Sequence, residues 1–98
     1  GITEAKRSRV VVTDSGGSVT MLSTEDVSLV DATGSAVTFT LAAHSSGKIV
    51  RVKKTDSSGN TVTISGATGN IDGASNYILY SQYESVTLIS DGTDWWVI

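Results

Sequence analysis

The sequence predicts an all-β fold, a single antiparallel β-sandwich of jelly-roll type, and three observations carry that expectation. Apolar residues recur at period two over short stretches, the pattern of half-buried strands. Clusters of Gly, Ser, Asn and Asp punctuate the chain at the spacing of a sandwich or barrel. Serine and threonine are abundant, proline is absent and 10 glycines do the turning, a composition that suits strands and turns better than helices.

The elements follow in order. Residues 9–13, 18–22, 27–31 and 37–41 read as the first four strands. In the fourth, Val37, Phe39 and Leu41 share one face and Thr38 and Thr40 the other. Residues 48–53 follow, with Val50 and Val52 on one face and Ile49, Arg51 and Lys53 opposite. Residues 61–65, a short 70–72, 77–80, 85–90 and 95–98 complete the set. Asp14-Ser15-Gly16-Gly17, Thr33-Gly34-Ser35, Ser45-Ser46-Gly47, Gly66-Ala67-Thr68-Gly69 and Asp72-Gly73-Ala74-Ser75 are turn signals, and Asp56-Ser57-Ser58-Gly59-Asn60 reads as a longer hairpin loop. Ser23-Thr24-Glu25-Asp26 could start one helical turn and no more.

The clearest local feature is the closing hairpin, residues 85–98, turned by Ser90-Asp91-Gly92-Thr93-Asp94, where Gly92 can supply a positive φ. Adjacent Trp95 and Trp96 must point to opposite faces of their strand, as must Val97 and Ile98. One pair closes the core; the other needs cover from the N-terminal arm or from another subunit. The organisation expected is one domain, with residues 1–24 as an arm and first strands and 25–98 as the sandwich module.

Composition bounds the function. At 98 residues the chain suffices for one core. The absence of cysteine excludes disulfides and thiolate metal sites. A net charge of −3 with mixed signs argues against nucleic acid as partner, and no apolar run reaches the ~18 residues of a membrane helix. The single histidine, His44, sits among serines, but no Gly-x-Ser-x-Gly elbow or paired-carboxylate motif accompanies it, and it reads as a strand-end histidine. Catalytic, cofactor-binding and metal residues are therefore all expected to be absent. The loops at 56–60 and 91–94 carry oxygen ligands but read as Asx turns in preference to calcium sites. Lys48, Arg51, Lys53 and Lys54 read as edge-strand cations. Tyr77, Tyr80 and Tyr83 could stack on sugars, though at least one parity belongs to the core.

Three stretches carry a family resemblance. They are residues 47–64, running from Gly47-Lys48-Ile49-Val50-Arg51-Val52 to Thr61-Val62-Thr63-Ile64; Ile71-Asp72-Gly73; and residues 83–98, running from Tyr83-Glu84-Ser85-Val86 to Asp94-Trp95-Trp96-Val97-Ile98. Together they resemble a β module of tailed-bacteriophage virion proteins, found at the ends of tail-fibre, baseplate, head-fibre and capsid-decoration proteins. The likeness spans roughly residues 27–98, and it departs from the pattern at Ala42, where a proline often follows the strand.

The resemblance implies a β-sandwich or jelly-roll, frequently a homotrimer on the particle, with no catalytic residues and no cofactor. The function it implies is a non-enzymatic virion structural protein: a decoration protein on the capsid exterior, partnered by the major capsid protein. The alternative is a tail-fibre or baseplate tip that binds a host-surface glycan. The short chain, with no coiled coil, collagen repeat or β-helix ahead of it to form a shaft, favours the first. Lys6, Arg7 and Arg9 are the candidates to dock on an acidic partner, and Trp96 and Ile98 the candidates for the subunit interface.

Overall fold

A computed structural model describes residues 9–98. Lys6 and Arg7 lie outside the described residues. Nine strands form: β1 (Val11–Ser15), β2 (Ser18–Thr20), β3 (Val27–Asp31), β4 (Val37–Thr40), β5 (Ile49–Lys54), β6 (Val62–Ser65), β7 (Tyr77–Leu79), β8 (Ser85–Ser90) and β9 (Trp95–Val97). Among the described residues there is no helix; the segment 23–26 makes a single turn, closed by the Glu25 amide donating to the Leu22 carbonyl (3.0 Å). The expected strand at 70–72 reduces to single bridges from Ile71 to Ala74 and Trp95.

The strands fall into a five-stranded sheet, β1-β3-β5-β8-β9, and a four-stranded sheet, β2-β4-β6-β7. The expected all-antiparallel order is corrected here, because both sheets are mixed. β1, β3 and β5 are parallel to one another, as are β2, β4 and β6; antiparallel pairing begins at β7, β8 and β9. The first six strands alternate between the sheets, so the chain winds through three stacked coils of one strand from each. The coils lengthen along the chain, Val11 aligning with Val27 and Val27 with Arg51. The last three strands then close the stack as antiparallel ladders. Parallel pairing among the first six strands departs from a jelly roll, whose two sheets are antiparallel.

The loop at 56–60 shows why the chain winds. It was expected to join a hairpin, but β5 and β6 lie in different sheets, and the loop is an arch between them. Its polar side chains bond the arch of the previous coil. Asp56 Oδ1 accepts from Ala32 N (2.8 Å), while Ser58 Oγ and Asn60 Nδ2 donate to the Ala32 carbonyl (3.2 and 2.9 Å). Asn60 Nδ2 also reaches the Thr33 carbonyl at 3.3 Å. Arch stacks on arch, and the parallel register of the strands follows from it.

Lys54 corrects a second expectation. It shares the inward parity of Val50 and Val52 and is 0% exposed, and since β5 is the middle strand of its sheet, neither Lys54 nor Arg51 or Lys53 is an edge-strand cation. Its ammonium donates to Asp56 Oδ2 (2.8 Å) and to the carbonyls of Asp56 (3.1 Å) and Ser58 (3.0 Å). Three donors thus meet three acceptors, the condition under which a buried ammonium is tolerated. Burial pushes the Asp56 carboxyl up, but Lys54, Ser58 and the Ala32 amide outweigh it and hold the group well below the usual carboxylate range.

Between the sheets lies one apolar core. Phe39, Leu41, Val62, Ile64 and Leu79 enter from the four-stranded sheet and its ends. Val30, Val50, Val52, Val86, Leu88 and Trp95 enter from the other. Trp95 is the largest fully buried side chain and Ile71 is buried with it. The chain crosses the Trp95 end through Gly69, at φ 74°, where a Cβ would meet the Thr93 carbonyl at 2.2 Å. No side chain other than hydrogen fits there.

Candidate association surface

The two sheets have very different outer faces, and strand parity determines both. On the five-stranded sheet the inward residues of β5 and β8 leave Ile49, Arg51, Lys53, Ser85, Thr87 and Ile89 outward. Register then sets these into rows. Ile49, Ile89 and Trp96 form one; Val11, Val27, Arg51 and Thr87 form the next, extended by Ile98, whose amide donates to the Thr87 carbonyl. Thr13, Leu29, Lys53 and Ser85 form the third, with Tyr83 at its end beneath the Lys53 ammonium (5.7 Å to the ring centroid). Asp31 stands at the margin as the carboxylate of these rows, engaged with Thr33. The face gathers Val, Leu, Ile, Trp and Tyr around Arg51 and Lys53, with Thr13, Thr87 and Ser85 among them, and aromatic and Arg side chains together are the mark of association surfaces.

The four-stranded sheet is the opposite case. Its outward rows are Ser18, Thr38, Thr63 and Ile78, then Thr20, Thr40 and Ser65. Apart from Ile78, every position on it carries a hydroxyl.

The closing hairpin resolves the choice the two tryptophans posed. Trp95 is 0% exposed and faces inward; Trp96 is 44% and Ile98 65% exposed on the outer face. Trp96 is not loose, since its Nε1 donates to Asp91 Oδ2 at 2.9 Å. Asp91 Oδ1 accepts from the amides of Thr93 and Asp94 (both 2.8 Å), the Asx-turn geometry expected of this loop. Those amides, with the indole N–H, lower the Asp91 carboxyl to about 2. Asp72 Oδ1 accepts from Val97 N (3.0 Å) and Asp94 Oδ1 from Asn70 N (2.9 Å), so three carboxylates line the β9 edge.

Arg9 spans the second and third coils, its guanidinium donating to the Ile49 carbonyl (3.2 Å) and lying 3.6 Å from the buried carboxylate of Asp26. Lys48 lies 3.7 Å from the same carboxylate and donates to the Ser23 carbonyl (2.9 Å). A polar cleft of about 570 Å³ opens here, lined in part by Ser23, His44, Ser45 and Ser46. Arg9 is therefore far from Trp96 in role: its charge closes a cleft wall on the coil stack.

His44 spans two elements. Its Nε2 meets the Thr68 carbonyl at 2.8 Å and so donates; in the neutral ring Nδ1 then accepts from Ser90 Oγ at 2.8 Å. The ring packs against Trp95, centroids 5.3 Å apart. Ser90 is buried and its oxygen also accepts from Gly92 N (3.0 Å), so the pair braces the hairpin turn. Among the described residues no group of three or more His, Cys, Asp or Glu gathers where a metal could sit. None of the described residues forms a helix long and apolar enough to cross a membrane. Of the tyrosines, Tyr77 packs against the core, whereas Tyr80 and Tyr83 are exposed at one end of the molecule.

Sequence reasoning had reached Trp96 and Ile98 but not Val11, Val27, Leu29, Ile49, Ile89 and Tyr83 around them. The missed signal was apolar residues at both parities in β3, β5, β8 and β9, all strands of one sheet. A scan against protein-family models and a search of curated proteins both returned no match.

Proposed function

We propose that this chain is a non-enzymatic structural component of a bacteriophage particle, a decoration protein that binds the capsid exterior as a homotrimer. The observation that supports assembly is the outer face of the five-stranded sheet, where apolar residues from five strands and the exposed Trp96 and Ile98 stand together. Exposed apolar surface gathered in one patch marks a protein partner. The role on a particle rests on the resemblance of residues 47–64, 71–73 and 83–98. The major capsid protein is the second partner, and the virion surface the location. Purified protein should rebind capsids stripped of it and raise their resistance to heat or chelation; no binding to such capsids overturns the reading.

A second reading, a tail-fibre or baseplate tip that binds a host-surface glycan, gains from one observation. Three parallel coils are stacked at the first end of the molecule, and their outermost strands β1 and β2 leave both sheet edges without a neighbouring strand among the described residues. Stacked coils are how β-helical shafts are built. Free protein that blocks phage adsorption to host cells would support this reading over the first.

A further inference from the structure

We infer that copies of this chain join head to tail, the outer face of the five-stranded sheet of one copy receiving the acidic β9 edge of the next. The inference deepens the proposed function and rests on its reading that the chain self-assembles.

Three features of the face carry it. Its cations lie at its centre, away from the marginal Asp31: β5 is the middle strand of five, and Arg51 is an outward residue in the middle of β5. The Arg51 side chain is exposed and makes no hydrogen bond or ion pair among the described residues, and Lys53 beside it faces only the Tyr83 ring. A twofold pairing of this face with itself would set Arg51 against its own copy, like charges closing on each other in an apolar surround. The face therefore favours an acidic counterpart over itself.

The same chain supplies that counterpart. Asp72 and Asp91 are exposed along the β9 edge and Asp94 is beside them. Each spends an oxygen on a local amide, yet the second oxygens of Asp72 and Asp94 accept no hydrogen bond among the described residues. They can meet a guanidinium and an ammonium without giving up the bonds that shape the loop. Trp96, at the junction of edge and face, would be covered from both sides.

Area sets the scale of either contact. Strands about 4.8 Å apart and about 3.3 Å per residue give this face roughly 400–500 Å². Face against face would bury about 1,000 Å² in total at most, the lower bound for a specific interface. In a head-to-tail ring each copy buries both its face and its edge. Such an interface is heterologous, and the smallest closed ring it can form holds three copies.

The test uses two variants in the full chain. Arg51→Glu damages the face; Asp72→Asn with Asp94→Asn removes charge from the edge while keeping the acceptor oxygens. Circular dichroism and thermal melting confirm that both fold. Sedimentation velocity should show wild type assembled and each variant shifted to monomer, with an apparent dissociation constant raised at least tenfold. An equal mixture of the two should recover a dimer, because one intact face then meets one intact edge, while the ring stays open. If the edge variant assembles like wild type, or the mixture stays monomeric, head-to-tail pairing is wrong although self-assembly stands. If wild type itself is a monomer at 100 µM, the self-assembly reading falls as well.

Discussion

The two sheets are built from similar strands and enclose the same core, yet their outer faces are opposites. One presents Ser18, Thr20, Thr38, Thr40, Thr63 and Ser65; the other presents Val11, Val27, Leu29, Ile49, Ile89, Trp96 and Ile98 around Arg51 and Lys53. Hydroxyls outward satisfy themselves with water and cost a fold nothing. Isoleucine and tryptophan outward gain nothing for a lone subunit, because the transfer free energy of about 25 cal/mol per Å² is collected only on burial. A sequence that concentrates outward apolar residues on one face, and on the other keeps Ile78 alone among hydroxyls, distinguishes a face meant for a partner from one meant for water.

The largest effects should come from the interior, which both sheets share. Trp95→Ser empties the centre of the core and should cost about 3–5 kcal/mol in urea unfolding. Its neighbour Trp96→Ser should change subunit stability by about 1 kcal/mol or less, yet weaken self-association strongly. If both substitutions act alike on stability, the assignment of the two tryptophans to opposite faces is broken.

Lys54→Met is of similar size, about 3–5 kcal/mol, because it strands the buried Asp56 carboxylate. Acid sharpens that prediction. The folded Asp56 carboxyl lies below its ordinary 3.8, so its contribution is present above that pH and is lost as pH falls through the folded value. Wild type should therefore lose stability below about pH 4. The variant's deficit should shrink over the same range, since protonation relieves its unpaired charge. A deficit that stays constant with pH would show that the pair is not the cause.

Converting the apolar face toward the hydroxyl face comes next. Ile49→Thr with Ile89→Thr should leave the subunit within about 1 kcal/mol of wild type while shifting it to monomer. Sedimentation and denaturant titration read the two effects separately. The smallest effect belongs to the reverse change: Thr38→Val with Thr63→Val should alter stability by about 0.5 kcal/mol or less. Light scattering should show that these valines create new, less specific association. If they do not, an apolar outer face is not sufficient for contact.

Much of this fold could be read from the sequence, and the reasons are local. Period-two patterning located the strands from β1 to β9 because each buries one face. The Asp91-Gly92 turn located the last hairpin because its loop geometry needs those residue types. Strand direction was not legible. A loop such as 56–60 carries the residues of a hairpin turn whether it returns to the same sheet or arches to the other. What decides is the bonding of Asp56, Ser58 and Asn60 to Ala32, a contact remote in sequence. Lys54 was misread as a surface cation although its parity with Val50 and Val52 placed it inside. The association surface was half legible: Trp96 and Ile98 stood out because an apolar pair faces each way. Val27 and Leu29 did not, because on β3 the inward position between them is Ser28, whose hydroxyl bonds Asp14. There the usual rule of apolar inside and polar outside is inverted.

The central claim is that the outer face of the five-stranded sheet holds a partner, and the first partner is a second copy. Sedimentation equilibrium of the wild-type chain beside Ile49→Thr/Ile89→Thr, over micromolar concentrations, tests it most directly. The account predicts a closed oligomer for wild type and a folded monomer for the variant. A wild-type monomer across that range, or a variant that assembles as wild type does, would contradict it.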